Sequence, residues 1–112
     1  MDHPKPAVIE LPGPRIRDEE NAAIRQQIAG VFESGQTCLV LDFAKVEFAD
    51  SSCLGMLVSM LNRAAAAHGD IRLCRLQKPV AAIFHLTRMH KIFDIFDTPE
   101  DALASFDREP HG

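Results

Sequence analysis

Residues 37–43, Thr-Cys-Leu-Val-Leu-Asp-Phe, form an almost unbroken apolar run near the middle of the chain. The run has the length of a β-strand, and apolar side chains occupy both alternating sets of positions. This pattern is typical of a strand that is covered on both faces, as in parallel sheets flanked by helices. We therefore expect residues 37–43 to lie at the centre of a sheet.

The sequence on either side of this run alternates between strand and helix patterns. Three helices are predicted where apolar residues recur at steps of three and four, and a fourth follows Thr98-Pro99. Short apolar runs next to Gly, Pro or charged residues predict the other strands. The predicted order is strand 8–11, helix 18–34, strand 37–43, connection 44–50, a helix from about residue 52 up to Gly69, strand 71–76, a helix from residue 78, strand 92–96 and helix 99–106.

This strand–helix alternation predicts an α/β domain with about four helices on a central sheet. The sheet is expected to be mixed but mostly parallel, with four to five strands. The 112 residues leave room for one domain, which we place at 1–112, with a core at about 7–106 and a flexible tail at 107–112.

Charge and hydropathy argue against direct nucleic-acid binding and against a membrane-spanning helix. The chain has 12 Lys and Arg against 16 Asp and Glu, a formal net charge of -4, so it lacks the basic surface expected for direct nucleic-acid binding. Its longest nearly apolar stretch, residues 53–61, is far shorter than the about 20 residues that span a bilayer. Without the pattern of a signal peptide at the start, the expected location is cytoplasmic.

No motif in the sequence predicts a cofactor or a metal. The chain lacks the glycine-rich signatures of nucleotide-binding loops, and its histidines lack the spacing of metal ligands. Cys38, Cys53 and Cys74 are an odd number without close spacing, so we expect small apolar core residues rather than disulfides. The mixed cations and acids of residues 72–101 are interpreted as a solvated surface; the cations are Arg72, Arg75, Lys78, Arg88 and Lys91.

The most informative stretch for function is residues 46–55, Val-Glu-Phe-Ala-Asp-Ser-Ser-Cys-Leu-Gly. It places two hydroxyls at the start of a predicted helix, and Ser51 or Ser52 is expected to be the N-cap. The unpaired N–H groups and the helix dipole also favour an anion there, so a phosphoryl group on Ser51 would be tolerated. Beside Asp50 and Glu47, that phosphate would concentrate negative charge and could switch off a binding surface.

Residues 48–55 resemble the Asp-Ser-Ser/Thr-Gly-Leu-Gly signature of the STAS domain, which is found in bacterial anti-sigma factor antagonists. The resemblance extends over about residues 8 to 106. It includes the strand at 39–43, the strand at 71–76, the helix and strand within 80–96, and the ending at 97–103. The chain departs from the pattern at Cys53, which replaces the first glycine, at Arg17, where an Asp is usual, and in the proline-containing residues 1–7, where the family has an edge strand.

The resemblance implies a protein ligand rather than an enzyme. In this family an unphosphorylated antagonist binds an anti-sigma factor that is also a serine kinase, phosphorylation ends the binding, and a PP2C-type phosphatase restores it. The modified serine of the family corresponds to Ser51. The partner-binding residues carried over are Asp50, Ser51, Ser52, Cys53, Leu54, Gly55 and Met56.

Two alternatives remain open from the sequence. The first is a STAS domain without a phosphorylation switch, acting as an assembly subunit of a signalling complex or of a lipid-transport ATPase. The second is a thiol-dependent enzyme, because a cysteine at a helix N-terminus can have a lowered pKa, and Cys53 holds such a position. Met56 and Met60 indicate either the edge of the core or a methionine-lined partner site, depending on their exposure.

Overall fold

The computed structural model describes residues 5–107, and the α/β fold expected from the sequence is confirmed. Helices cover both faces of a four-stranded sheet. In chain order the elements are β1 (Ala7–Glu10), β2 (Arg15–Ile16), α1 (Asp18–Glu33), β3 (Cys38–Asp42), β4 (Phe48–Ala49), α2 (Ser51–Ala66), β5 (Asp70–Cys74), α3 (Lys78–Leu86), a 3-10 turn (Met89–Lys91), β6 (Ile95–Phe96) and α4 (Pro99–Asp107).

The main sheet has the order β1-β3-β5-β6, and every pairing in it is parallel. Strand β3 therefore lies inside the sheet, as predicted. Its alternate residues face different layers: Leu39 and Leu41 join the core formed with α1, α2 and α3, while Val40 packs with Ala102 and Phe106 of α4. Burial on both faces explains why this strand is apolar at nearly every position.

Two short strands were missed by the sequence analysis. Strands β2 and β4 pair in parallel as a separate ladder, with Arg15 opposite Phe48 and Ile16 opposite Ala49. The interval 44–50, interpreted as a plain connection, thus contains β4 directly before α2. A two-residue strand has too few side chains to produce a periodic pattern, so only its partner strand reveals it.

The other predicted boundaries shift by a few residues. Strand β5 ends at Cys74, and residues 92–96 contain only the short β6, because the chain before it forms the 3-10 turn. The family's first edge strand was in doubt at residues 1–7. Strand β1, which begins at Ala7, forms one edge of the main sheet, and residues 1–4 lie outside the described range. The predicted tail also lies outside it, except for Asp107, which ends α4.

Arg72 is buried, so its assignment to a solvated surface was wrong. Its Nε donates to Asp70 Oδ2 at 3.0 Å, its Nη1 donates to Ser105 Oγ at 2.6 Å, and its guanidinium lies 3.9 Å from the centre of the Phe106 ring. A buried cation is tolerated when it is paired and hydrogen-bonded in this way. Arg72 consequently joins α4 to β5.

Candidate functional site

The conspicuous serines lie at the start of α2, but neither serine is its N-cap. Asp50 is the cap: its Oδ1 accepts the Cys53 N–H at 3.0 Å, and its backbone carbonyl accepts the Leu54 N–H at 3.2 Å. The expected cap at Ser51 or Ser52 is therefore wrong by one or two residues. An aspartate carboxylate stabilises the unpaired N–H groups of a first helical turn as well as a serine hydroxyl does.

This shift makes the two serines the first two residues of the helix, and both are exposed. Neither hydroxyl makes a hydrogen bond within residues 5–107. They lie where the helix dipole is positive, and no acidic residue belongs to the first turn of α2. The Ser51 hydroxyl is thus accessible at a position that accommodates an added anion.

The seven residues expected to bind a partner divide into two groups. Ser51, Ser52 and Gly55 are exposed and Asp50 is partly exposed, so these four form one accessible surface. The side chains of Cys53, Leu54 and Met56 are buried, so they anchor the first turns of α2 to the core. Met60 is buried as well, which assigns both methionines to the core rather than to a methionine-lined surface.

Burial also argues against Cys53 as a nucleophile. Desolvation, reinforced by the nearby Asp50 carboxylate, raises the pKa of Cys53 to about 12. The helix N-terminus was expected to lower this pKa, but an apolar environment opposes ionisation more strongly here. At neutral pH the group is a buried neutral thiol, not a nucleophile.

The loop before α2 is held by several backbone contacts. The N–H groups of Glu47 and Phe48 both donate to the Pro14 carbonyl, at 2.7 and 3.1 Å, which draws β4 onto β2. A side chain at Gly13 would collide with the backbone of Lys45. The close approach of these two turns therefore requires glycine.

An ion pair between the buried Asp42 and the exposed Arg75 supports the same loop from the sheet side. Arg75 binds the carboxylate of Asp42 through two nitrogens, with Nε to Oδ1 at 3.0 Å, and Oδ1 also accepts the Ala44 N–H at 3.0 Å. Burial by itself raises the pKa of Asp42, but the hydrogen bonds from Arg75 and Ala44 outweigh it, so the pKa lies below its ordinary value. Because Asp42 pairs with Cys74 in the ladder, the parallel register brings Asp42 next to Arg75.

Asn21 connects α1 to the first turn of α2. Its Nδ2 donates to the Ser52 carbonyl at 3.4 Å, while its buried Oδ1 has no hydrogen-bond partner among the described residues. No local pattern in the sequence predicts this contact, because the two residues are 31 positions apart.

Phe48 is a second feature that sequence reasoning did not single out. Its side chain is 42% exposed, and the guanidinium of Arg15 lies 5.6 Å from the centre of its ring. Both residues belong to the β2–β4 ladder, directly before the serines. Aromatic residues and arginine are both enriched at surfaces that contact another protein.

The described residues contain no group of three potential metal ligands close enough to hold an ion. Within the same range, no helix is both long enough and apolar enough to cross a bilayer. The site therefore consists of the accessible hydroxyls of Ser51 and Ser52 on a helix whose first turns are packed into the core, with the Cys53 thiol buried beneath them.

Comparison with known proteins shows the family. The sequence model of the STAS domain matches residues 2–102. A protein of Bordetella bronchiseptica, named as the anti-sigma factor antagonist BtrV, is 23% identical over 83 residues, which cover 74% of this chain and 72% of BtrV.

Solved structures share the fold. The unphosphorylated form of the anti-sigma factor antagonist SpoIIAA superposes with a TM-score of 0.80 at 19% identity, covering 99% of this chain and 96% of SpoIIAA. The phosphorylated form of SpoIIAA, from Bacillus, gives 0.71 at 20% identity, covering 95% and 96%.

A protein of the sulfate transporter family from Wolinella succinogenes has the same fold at 14% identity, with a TM-score of 0.72 and coverage of 90% of this chain and 84% of that one. Such distant similarities concern the fold alone, whereas the sequence model covers most of the chain. The chain belongs to the STAS domain family.

Proposed function

We propose that this protein is an anti-sigma factor antagonist that binds an anti-sigma factor with serine kinase activity while Ser51 is unphosphorylated. Phosphorylation of Ser51 releases the partner, and a PP2C-type phosphatase restores the binding form. The protein is then a ligand and a substrate rather than a catalyst, acts in the cytoplasm and regulates transcription without contacting nucleic acid.

The observation that carries this proposal is the accessibility of Ser51 on a turn that is otherwise firmly anchored. Its hydroxyl is exposed at the first residue of α2, while Cys53 and Leu54 of the same turn are buried. A kinase can therefore reach the hydroxyl without unfolding the helix. The neutral hydroxyl can equally be covered by a docked protein at little cost in desolvation.

Charge gives the reason for release. A phosphoserine carries about -1.5 to -2 charges at neutral pH, and Ser51 directly follows the carboxylate of Asp50. The helix N-terminus stabilises the phosphate in the free protein, but a docked partner would have to exclude water from two adjacent anionic groups. The free form is thereby favoured without any change in the core.

The comparison with known proteins also supports an anti-sigma factor antagonist. BtrV and SpoIIAA are named as anti-sigma factor antagonists, and SpoIIAA has solved structures in unphosphorylated and phosphorylated forms. Those descriptions belong to the relatives; for this chain they make Ser51 the first residue to test.

The test is incubation with ATP and a candidate kinase encoded nearby, followed by mass mapping of the phosphorylated residue. Ser51→Ala removes the proposed acceptor, and Ser52→Ala is the matched control because Ser52 is also exposed on the same turn. We expect one phosphate in the parent and in Ser52→Ala, and none in Ser51→Ala. Phosphate on Ser52 alone would contradict the assignment, and no phosphate on any serine would favour a non-switching assembly subunit.

A further inference from the structure

A second accessible surface lies around the end of α3. Leu86 is 85% exposed and Ile92 is 50% exposed, although both are large aliphatic residues. They flank the 3-10 turn, whose Met89 is buried together with Phe93 and fixes the turn against the core. Two aliphatic side chains are thus held outward on a firmly attached corner of the domain.

The same corner is positively charged. Arg88 and Lys91 are exposed next to the two aliphatic residues, and neither has an ion-pair partner within residues 5–107. No acidic residue occurs between residues 71 and 93, and the next acid along the chain, Asp94, has its Oδ2 4.0 Å from the Nε of the buried Arg72. A local excess of cations on a chain of net charge -4 attracts anionic partners to this corner.

Topology places this corner at the opposite end of the sheet from Ser51. Helix α2 starts at the carboxyl ends of the parallel strands. Helix α3 runs back toward their amino ends and stops just before β6. Arg63, in the last turn of α2, and Lys5, before β1, also lie toward the amino ends of the strands. Docking through this corner would leave the Ser51 surface free.

We propose that this corner, formed by Leu86, Arg88, Lys91 and Ile92, docks on the surface of an anionic lipid bilayer. The pairing of exposed cations with projecting aliphatic side chains favours this occupant, because an anionic bilayer offers both anionic headgroups and an apolar layer directly beneath them. Projecting aliphatic residues enter the boundary between headgroups and acyl chains, while the flanking cations contact the anionic headgroups.

The test is co-sedimentation of the full chain with vesicles of phosphatidylcholine, with or without about one-third phosphatidylglycerol, at low salt. Binding is expected to the anionic vesicles only. It should fall about fivefold for each cation removed, as in Lys91→Gln, because a surface cation contributes about that factor to binding. Leu86→Ser should also weaken it.

Matched controls separate the corner from general effects of charge and apolarity. Arg25→Gln removes an exposed cation from the middle of α1, and Val8→Ser removes a 45% exposed aliphatic side chain from β1. Both controls should bind as the parent does. Absence of binding to anionic vesicles, or equal binding by all variants, overturns the proposal. Self-association in sedimentation velocity that Leu86→Ser abolishes, without vesicle binding, would overturn it in favour of a second copy as the occupant.

Discussion

Helices α1 and α2 have the same length, 16 residues each, and pack together on the same face of the sheet, yet they begin in opposite ways. The first turn of α1 contains Asp18, Glu19 and Glu20, and the Glu20 carboxylate accepts the Arg17 N–H at 2.9 Å. The first turn of α2 has no acid and exposes two serines. The positive end of α1 thus has three carboxylates within its own first turn, whereas that of α2 has only the carboxylate of its Asp50 cap.

The two helices also differ in how firmly they are held. Helix α1 buries Ile24 and Ile28, whereas α2 buries six side chains: Cys53, Leu54, Met56, Leu57, Met60 and Ala64. Modification at the start of α2 therefore changes a surface on a well-anchored element. This difference indicates that a charge change at Ser51 alters recognition rather than folding.

The largest expected effect is on recognition at the first residue of α2. Ser51→Asp should weaken binding of the anti-sigma factor by at least about tenfold, because it places a like charge beside Asp50 at the docking surface. Ser51→Ala should bind constitutively. Isothermal titration calorimetry with a candidate anti-sigma factor measures both, and circular dichroism checks that both variants are folded. Equal affinity of Ser51→Asp and the parent would remove the basis for a switch.

The next effect concerns the two N-caps. Asp50→Ala removes the side-chain acceptor of the Cys53 N–H and should cost about 1 kcal/mol of unfolding free energy. Arg17→Ala is the control, because the Arg17 side chain caps nothing and the Glu20 contact uses the backbone N–H of residue 17. Urea denaturation of the two variants gives the comparison. Equal losses would show that the Asp50 cap does not stabilise α2.

A smaller effect is expected at the interior glycines of the two helices. Gly55 in α2 and Gly30 in α1 are both exposed, and an added Cβ would meet no atom within 4 Å at either position. Replacement of either by Ala should stabilise the protein by about 0.5–1 kcal/mol, as expected for an exposed helix interior.

The two replacements should differ in partner binding. Gly55 lies one turn from Ser51 on the proposed docking surface, where a bare backbone permits close approach. Gly55→Ala should therefore weaken anti-sigma factor binding, while Gly30→Ala should leave it unchanged. If both bind normally, the partner does not approach the α2 backbone at this residue.

The smallest effect is expected at the first residue of α1. Asp18→Ser makes the start of α1 similar to that of α2 and should cost about 0.3–1 kcal/mol, less at high salt, through the lost interaction with the helix dipole. Partner binding should not change. Thermal unfolding at low and high salt measures the loss, and a loss that persists unchanged at high salt would contradict the electrostatic origin.

Much of the fold follows from local pattern. The apolar run at 37–43 predicted a strand covered on both faces, and β3 lies inside the sheet between two helical layers. Thr98-Pro99 predicted the start of a fourth helix, and the Oγ1 of Thr98 accepts the Asp101 N–H at 3.0 Å in the first turn of α4. These features involve residues a few positions apart, so the sequence carries them directly.

The candidate site was predicted less completely. The motif at 50–55 located the start of α2, but it did not separate the accessible residues from Cys53, Leu54 and Met56. That division depends on which side of the helix faces the core. The sequence also misassigned Arg72, because its partners Ser105 and Phe106 lie 33 and 34 residues away along the chain.

The sequence by itself determined the alternation of strands and helices, the family resemblance and the position of an exposed helix start, because hydrophobic period and capping chemistry act over a few residues. Tertiary structure alone decided that β2 pairs with β4, that Arg75 meets Asp42 and that the Cys53 thiol is sealed in the core. Each of these depends on packing between segments far apart in the chain, and burial, not residue type, then sets the charge state and the accessibility of the groups.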